Sequence, residues 1–410
     1  CPCCCPIANS RGQLDMGESA HKGPLSGVTV IDMTSVLMGP YCTQIMSDLG
    51  ADVIKVEGPE GDITRQIGPG KREGYTGVYY SMNRGKRGIS LDMKRPEAKA
   101  ALLKMVEKCD VFIHSVRYQA MERLGLTYET LAGVNPGLIY ANLYGFGLKG
   151  EYAGQPAYDD TIQGMTGVAM LEAAAAGEPR YLANVMADKV SGLTAAYAIN
   201  AALYARATTG VGQEVSVSMF EALASFMLTE HMTGSVFDPP ISEPVYQRIV
   251  AKERKPYKTR DGYVGATVYN NKHWHRFTDI VGQPELRNDP RFKDVAARLQ
   301  HVAEYNNLLQ SFIVERTTEE WMTAMNEAEI PAARIKSTTD LLTDPHLQQV
   351  DFFKTMEHPV DGILKFPGPP VEFSETPAAI QGLPPEKGQH TEEVLKEFGL
   401  TEAEISVLIA

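Results

Sequence analysis

The strongest constraint on the fold is a β-α-β unit in the first sixty residues. Residues 28–33, Val-Thr-Val-Ile-Asp-Met, are a short β-branched run of the kind that forms a buried strand. Gly39-Pro40 follows, and proline suits the first turn of a helix. Residues 41–49 carry a helical pattern that Gly50 can end, and Asp52–Glu57 reads as a second strand. Two strands joined through a helix pack side by side in parallel, with a right-handed crossover.

The alternation continues. Strands are expected at 88–92, 110–114 and 137–144, with a helix over 96–108 opened by Pro96. A doubly wound α/β arrangement is therefore predicted through about residue 215. Residues 189–207 form an Ala- and Leu-rich helix that stops at Thr209-Gly210-Val211-Gly212. A strand at 214–219 and a helix at 220–234 come next. Residues 236–260 are rich in proline and basic side chains and read as a linker into a second region. There, 263–268 reads as a hairpin strand, the helix after it reaches 280, and 296–328 is mostly helical. Residues 359–377 read as loop, and 391–408 as a closing polar helix. A chain of 410 residues exceeds what one core usually serves, so two domains are expected. They are 23–235 with 340–410 as a large α/β domain, and 236–339 as linker plus small domain. Residues 1–22 read as a leader or disordered tail.

Composition narrows the function. The formal charge of −12 argues against non-specific binding to nucleic acid or anionic membrane, yet permits a local basic pocket. No apolar run reaches the roughly 18–20 residues that span a bilayer. A basic segment followed by an apolar stretch is missing from the beginning, so a cytoplasmic location is expected. Cys1, Cys3, Cys4 and Cys5 are too crowded for a disulfide framework, while Cys42 and Cys109 sit in apolar patterns as buried thiols. No metal site is expected: His273 and His275 are two apart and share no helix face.

Few motifs carry chemistry on their own. The first β-α turn, Thr34-Ser35-Val36-Leu37-Met38-Gly39, has one glycine where a dinucleotide fingerprint needs three, although Glu57 stands where a ribose-binding acid would. Basic residues cluster at Lys71-Arg72, Arg84, Lys86-Arg87 and Lys94-Arg95, with Arg117 and Arg123 beyond. They can form a solvated face or hold phosphates. Asp188 immediately precedes the Ala-rich helix. Aspartate there caps a helix, and the same helix terminus favours an ionised carboxylate able to attack an activated acyl carbon.

From about residue 24 onward the chain resembles the family III CoA transferases, the group containing formyl-CoA and carnitine CoA transferases. The resemblance rests on Gly23-Pro24-Leu25-Ser26-Gly27-Val28-Thr29-Val30-Ile31-Asp32, Met38-Gly39-Pro40 and Asp48–Glu57. It continues through Asn83-Arg84-Gly85-Lys86-Arg87-Gly88-Ile89-Ser90-Leu91-Asp92-Met93-Lys94, Met121–Leu126, Gly145-Phe146-Gly147, Pro156–Asp159 and His390–Leu395. It implies a Rossmann-like large domain, a smaller inserted α+β domain and an interlocked homodimer. Asp188 matches the family's catalytic aspartate. Coenzyme A contacts are implied at Leu37, Met38, Gly58, Leu91, Lys94, Ser115, Val116, Arg117, Arg123, Tyr158 and Asp159. The implied partners are acyl-CoA and small carboxylic acids, with coenzyme A as substrate and no metal or redox cofactor. CoA would pass through an aspartyl anhydride and an aspartyl-CoA thioester.

Three differences bear on specificity. The family's Glu-Asn-Phe-Arg-Pro-Gly segment reads His114-Ser115-Val116-Arg117-Tyr118-Gln119 here. Leu37 replaces the active-site glutamine of formyl-CoA transferases, and Tyr246–Lys258 replaces their glycine-rich loop. The last two argue against formyl or oxalyl specificity. Racemases of 2-methylacyl-CoA share the fold and are the rival reading. They place histidine before the aspartate where this chain has Tyr158-Asp159, and tyrosine, with a reference pKa of about 10, is a poor proton shuttle near neutral pH.

Overall fold

A computed structural model describes residues 23–409, so the reading of 1–22 lies outside the described residues. Six strands form one sheet: β1 Thr29–Met33, β2 Asp52–Glu57, β3 Arg87–Ser90, β4 Val111–His114, β5 Ile139–Tyr144 and β6 Gln213–Ser218. In chain order the first nine α-helices are α1 Met38–Asp48, α2 Gly77–Asn83, α3 Pro96–Val106, α4 Tyr118–Leu124, α5 Tyr128–Val134, α6 Asp159–Met165, α7 Val168–Ala176, α8 Met186–Thr209 and α9 Met219–His231. The chain divides into two compact units. One comprises the described residues up to Tyr144, Gly192–Ser216 and Lys354 onward; the other comprises Gly145–Ser191 and Val217–Phe353. Residues 145–191, 217–235 and 340–353, expected in the large domain, thus fall in the second unit. The reason is packing: α6 lies against α7 and α9, and the short helix Gln247–Val250 lies against α7.

In the first unit the strand order is β3-β2-β1-β4-β5-β6, and the pairings β3–β2, β2–β1, β1–β4 and β4–β5 are all parallel. This is a doubly wound sheet whose order reverses between β1 and β4. Strands β2, β4 and β5 are buried almost throughout, as in a sheet covered on both faces, and in β2 that includes the charged side chains of Lys55 and Glu57. The core joins Ile31, Ile54, Phe112 and Tyr140 to α3 and to Val394, Leu395 and Ile405 near the C-terminus. That C-terminal stretch is two helices, Thr391–Glu397 and Glu402–Ile409, broken where Gly399 takes φ +89°. It also covers the edge of β3. The His390 N–H donates to the Gly88 carbonyl, the Gly88 N–H to His390 Nδ1, and the Ser90 N–H to Thr391 Oγ1. An edge strand is thereby kept from pairing with another chain. Residues 353–367, partly expected as loop, form a β-hairpin of Phe353–His358 and Gly362–Pro367. Pro359 lies in its turn and Pro367 ends its second strand, both positions where the missing N–H costs nothing.

In the second unit, strands Tyr257–Lys258, Tyr263–Ala266 and Ala332–Arg334 make a small antiparallel sheet. Trp274, Phe277, Trp321 and Met325 fill its core. Burying Trp274 explains the His273-Trp274-His275 pattern.

The first β-α turn is held by buried charges. Asp32 accepts hydrogen bonds from the Thr34 backbone (2.9 Å), the Thr43 hydroxyl (2.6 Å) and Lys86 Nζ (3.1 Å). Lys55 Nζ reaches the Thr34 carbonyl (3.0 Å) and Asp62 Oδ2 (2.9 Å). Asp62 Oδ1 in turn accepts the N–H of Val36, which sits at φ +69°, a backbone region that costs a β-branched residue about 1–3 kcal/mol. Burial pushes the Asp32 carboxyl up, but Lys86, Lys55 and the threonine hydroxyls outweigh it and hold it down at about 2, against 3.8 for a free aspartate. Between those values the unfolded chain binds the extra proton, so stability falls as pH drops from about 4 to 2. The difference is on the order of 2 kcal/mol. Urea denaturation of the wild type and Asp32→Asn across this range should give curves that converge as the pH falls.

Candidate active site

In the first unit the residues implied for coenzyme A gather at the carboxyl ends of the parallel strands. Leu37 and Met38 follow β1, Gly58 follows β2, Leu91–Lys94 follow β3, and Ser115–Arg117 follow β4. The β1 and β4 loops flank the point where the strand order reverses, the place where open α/β sheets bind ligands. The Ser35 N–H donates to Ser115 Oγ at 3.1 Å, tying the two loops together. Gly39 is required there, because a Cβ would stand 2.2 Å from the Thr34 side chain. Gly58 faces open space, whereas the Leu91 side chain belongs to the core and offers a ligand only its backbone. Burial pulls the His114 imidazole, at the end of β4, down to about 4, so it is neutral beside the Tyr140 hydroxyl.

The basic cluster sorts itself. Arg72 pairs with Asp361 and Glu386, Arg84 with Asp48, Lys86 with Asp32, and Arg87 with Asp52 and Glu397. Lys71 donates to the Asp361 carbonyl and Arg95 to that of Val407. These six are engaged by carboxylates and carbonyls of the first unit. Lys94, Arg117 and Arg123 are exposed, and their side chains form no ion pair or hydrogen bond among the described residues. Glu57 is likewise consumed. Arg65 grips both its oxygens at 2.7 and 2.8 Å, and the Asp62 N–H adds a third donor at 2.7 Å. The acid that a dinucleotide fingerprint would aim at a ribose is an internal anchor.

In the second unit, α8 begins at Met186, two residues before Asp188. Asp188 therefore stands in the first helical turn rather than at the N-cap, and it is only 9% exposed. A helix leaves its first N–H groups without internal partners. The Asp188 N–H finds its acceptor outside the helix, in Asp159 Oδ1 at 3.0 Å. The other oxygen of Asp159 accepts from Gln163 Nε2 at 2.6 Å. Gln163 is fully buried one turn along α6, and its amide is oriented by two further contacts. Its Nε2 donates to the Asn184 carbonyl (3.0 Å), while its Oε1 accepts the Leu182 N–H (2.9 Å). Asp159 thus supports the segment leading into α8 and faces away from any role as a free anion. Tyr158, its neighbour, is exposed.

Sequence reading missed Gln163. The available signal was Asp-x-x-x-Gln, an i, i+4 pair on one helix face. The Cys42 thiol, buried as expected, is pushed far up by burial and stays protonated, which disqualifies it as a nucleophile.

The profile of CoA-transferase family III matches residues 25–391. This chain belongs to that family. It is 31% identical over 388 residues to a succinate–glutarate CoA-transferase from Agrobacterium fabrum, covering 92% of this chain and 96% of that one. A succinyl-CoA:mesaconate CoA-transferase from Haloarcula hispanica is 31% identical over 390 residues, covering 92% and 97%. Among solved structures, a CAIB/BAIF family protein from Brucella suis superposes with a TM-score of 0.77 at 29% identity, over 92% of this chain and 100% of that one. A hypothetical protein from Mycobacterium tuberculosis gives 0.79 at 27%, over 91% and 99%. The chain is a CoA transferase by family, and its mixed α/β fold is that of the family's solved members.

The geometry around Asp159 makes a sharp demand. Both its oxygens must accept, because Gln163 cannot turn its amide without opposing Leu182 and Asn184. Asp159→Asn sets an N–H against a donor in either orientation. It should cost about 1–3 kcal/mol in chemical denaturation. It should also lower kcat on the order of a hundredfold, the scale on which a displaced reacting group slows chemistry.

Proposed function

We propose that the protein moves coenzyme A from an acyl-CoA donor to a carboxylic acid acceptor, with Asp188 as the covalent nucleophile. The observation that carries this reading is a shielded carboxylate residue in the first turn of a 24-residue helix, its backbone fixed by a second, buried carboxylate. A helix start favours the ionised form. The Asp188 carboxylate attacks the donor thioester, the C–S bond breaks, and CoA leaves as thiolate beside a mixed anhydride. The thiolate attacks the aspartyl carbonyl, giving an aspartyl-CoA thioester and freeing the donor acid. The acceptor carboxylate then attacks that thioester, expelling the thiolate and forming a second anhydride. Attack of the thiolate on the acceptor's carbonyl yields the new acyl-CoA and restores the Asp188 carboxylate. Each tetrahedral intermediate needs hydrogen-bond donors, and water must be kept from the anhydrides.

Lys94, Arg117 and Arg123 serve the phosphates of coenzyme A, at the loops where Leu37, Met38, Gly58, Leu91, Ser115 and Val116 approach the ligand. Of the two second-unit residues, Tyr158 remains a contact, and Asp159 acts by positioning Asp188. Similarity to transferases named for succinate, glutarate and mesaconate supports small dicarboxylic acids as the exchanging pair. Racemisation is not proposed, since the similar curated proteins carry transferase names.

Acyl-CoA followed by hydroxylamine or borohydride should leave a mapped modification at Asp188 by peptide mass spectrometry. An unmodified Asp188, with Asp188→Ala still exchanging CoA, would sink the mechanism. Deuterium wash-in at the α-carbon of a 2-methylacyl-CoA would instead revive racemase chemistry.

The interlocked homodimer is proposed as well. Leu193, Tyr197 and Tyr204 form one exposed stripe along α8, with the two tyrosines 67% and 74% exposed. An aromatic stripe of this kind marks a surface that another chain covers. Light scattering should return twice the 44.9 kDa chain mass, without a monomer on dilution to nanomolar concentration.

A further inference from the structure

The second unit contains a cavity of about 540 Å³, within the range of roughly 300–1,000 Å³ usual for small-molecule sites. Its rim and walls carry four cations, Arg248, Arg254, Lys255 and Arg298, and not one carboxylate. None of the four makes an ion pair among the described residues. In a protein with a formal charge of −12, such a concentration of unpaired positive charge is a local inversion.

Arg298 is the most telling of them, being only 4% exposed. Its Nη1 donates to the Phe292 carbonyl (2.7 Å), and its Nη2 to the Tyr269 carbonyl (3.1 Å) and Asn271 Oδ1 (2.8 Å). Neutral dipoles thus take three of its five N–H donors without cancelling its charge. A buried cation so placed favours an anion nearby. The nearest acid along the chain, Asp294, caps its own helix by accepting the Ala297 N–H at 2.8 Å. Around the cations lie flat and apolar surfaces. Arg248 stacks 5.2 Å from the Tyr269 ring, and Tyr257, Leu299 and Val302 also line the space.

We propose that this cavity binds a small organic carboxylate, at a site separate from the Asp188 carboxyl. None of Asp159, Gln163 and Asp188 of the same chain lines it, so a ligand seated there does not touch that chain's nucleophile. Guanidinium forks match a carboxylate, and the tyrosine and aliphatic walls match a hydrocarbon body. A phosphate group fits less well. Phosphate sites draw on the free N–H groups of a helix start. The helix start on this wall, at Val295, is already capped by Asp294.

The test is calorimetric titration of the full-length protein, without coenzyme A, using succinate and benzoate as probes. The expected result is one site per chain, at least tenfold weaker in Arg254→Gln/Lys255→Gln, whose altered side chains are exposed and dispensable to the fold. Arg254→Lys should restore most of the affinity, and Asp188→Ala should leave binding unchanged. Binding of neither probe, or binding untouched by the double substitution, overturns the proposal. So does loss of binding in Asp188→Ala, which would seat the carboxylate at the nucleophile. Displacement by inorganic phosphate at equal concentration would reduce the site to a generic anion patch and also overturn it. Failure of the transfer chemistry is read separately, as a missing Asp188 adduct with this binding intact.

Discussion

The turn between β1 and α1 depends on two lysines sealed inside the sheet. Lys55 and Lys86 are almost wholly buried, and each is answered by an aspartate, Asp62 and Asp32 respectively. Taking four charges out of water is costly. The cost is offset only because almost every polar atom in the cluster has a second or third partner. The consequence is local rigidity. Asp62 holds the N–H of the strained Val36, Lys55 holds the Thr34 carbonyl, and Lys86 holds the Pro40 carbonyl and Thr43. The two residues between Val36 and Gly39 are therefore held with little freedom, Leu37 at the N-cap of α1 and Met38 buried at its first position. A site built there is shaped before any ligand arrives.

The second unit solves a related problem with one carboxylate. Asp159 accepts from the backbone of Asp188 on one side and from Gln163 on the other, and Gln163 fastens residues 182–184. The start of α8 is thus fixed from outside the helix. In both units a buried carboxylate with both oxygens engaged sets the path of the chain just before a helix. The chemistry differs, since Asp32 and Asp62 neutralise buried lysines while Asp159 meets only neutral donors.

Much of this was legible in the sequence. The runs of β-branched and other apolar residues placed β1, β2, β4 and β5 to within two residues, because strands buried on both faces are rich in such side chains, although β1 and β2 also carry the buried Asp32, Lys55 and Glu57. The helices at 118–124, 128–134, 159–165 and 168–176 escaped notice, being short and lacking a long apolar stripe. Asp188 was visible as a residue at a helix start, but not its true place in the first turn. That depends on Asp159, 29 positions away, and no local pattern reports such a partner. Compact units also eluded the linker argument. Proline density marks where a chain bends, whereas the packing of α6, α7 and α9 decides which residues move together.

Charge shows the same division between what spacing reveals and what folding decides. The nine basic residues of the clusters from Lys71-Arg72 to Arg123 looked equivalent in the sequence. Folding assigns six of them to carboxylates and carbonyls of the first unit, several contributed by residues some 290 to 320 positions further along. Those six hold the C-terminal segment and the hairpin against the loops that follow the strands. Lys94, Arg117 and Arg123 are left facing solvent from the ends of β3 and β4 and from α4. An exposed cation with no internal partner costs nothing to present to an anion, whereas a paired one must first break its bond. The cations free to meet a phosphate are therefore few, and they lie at the carboxyl edge of the sheet, where a doubly wound fold opens its crevice.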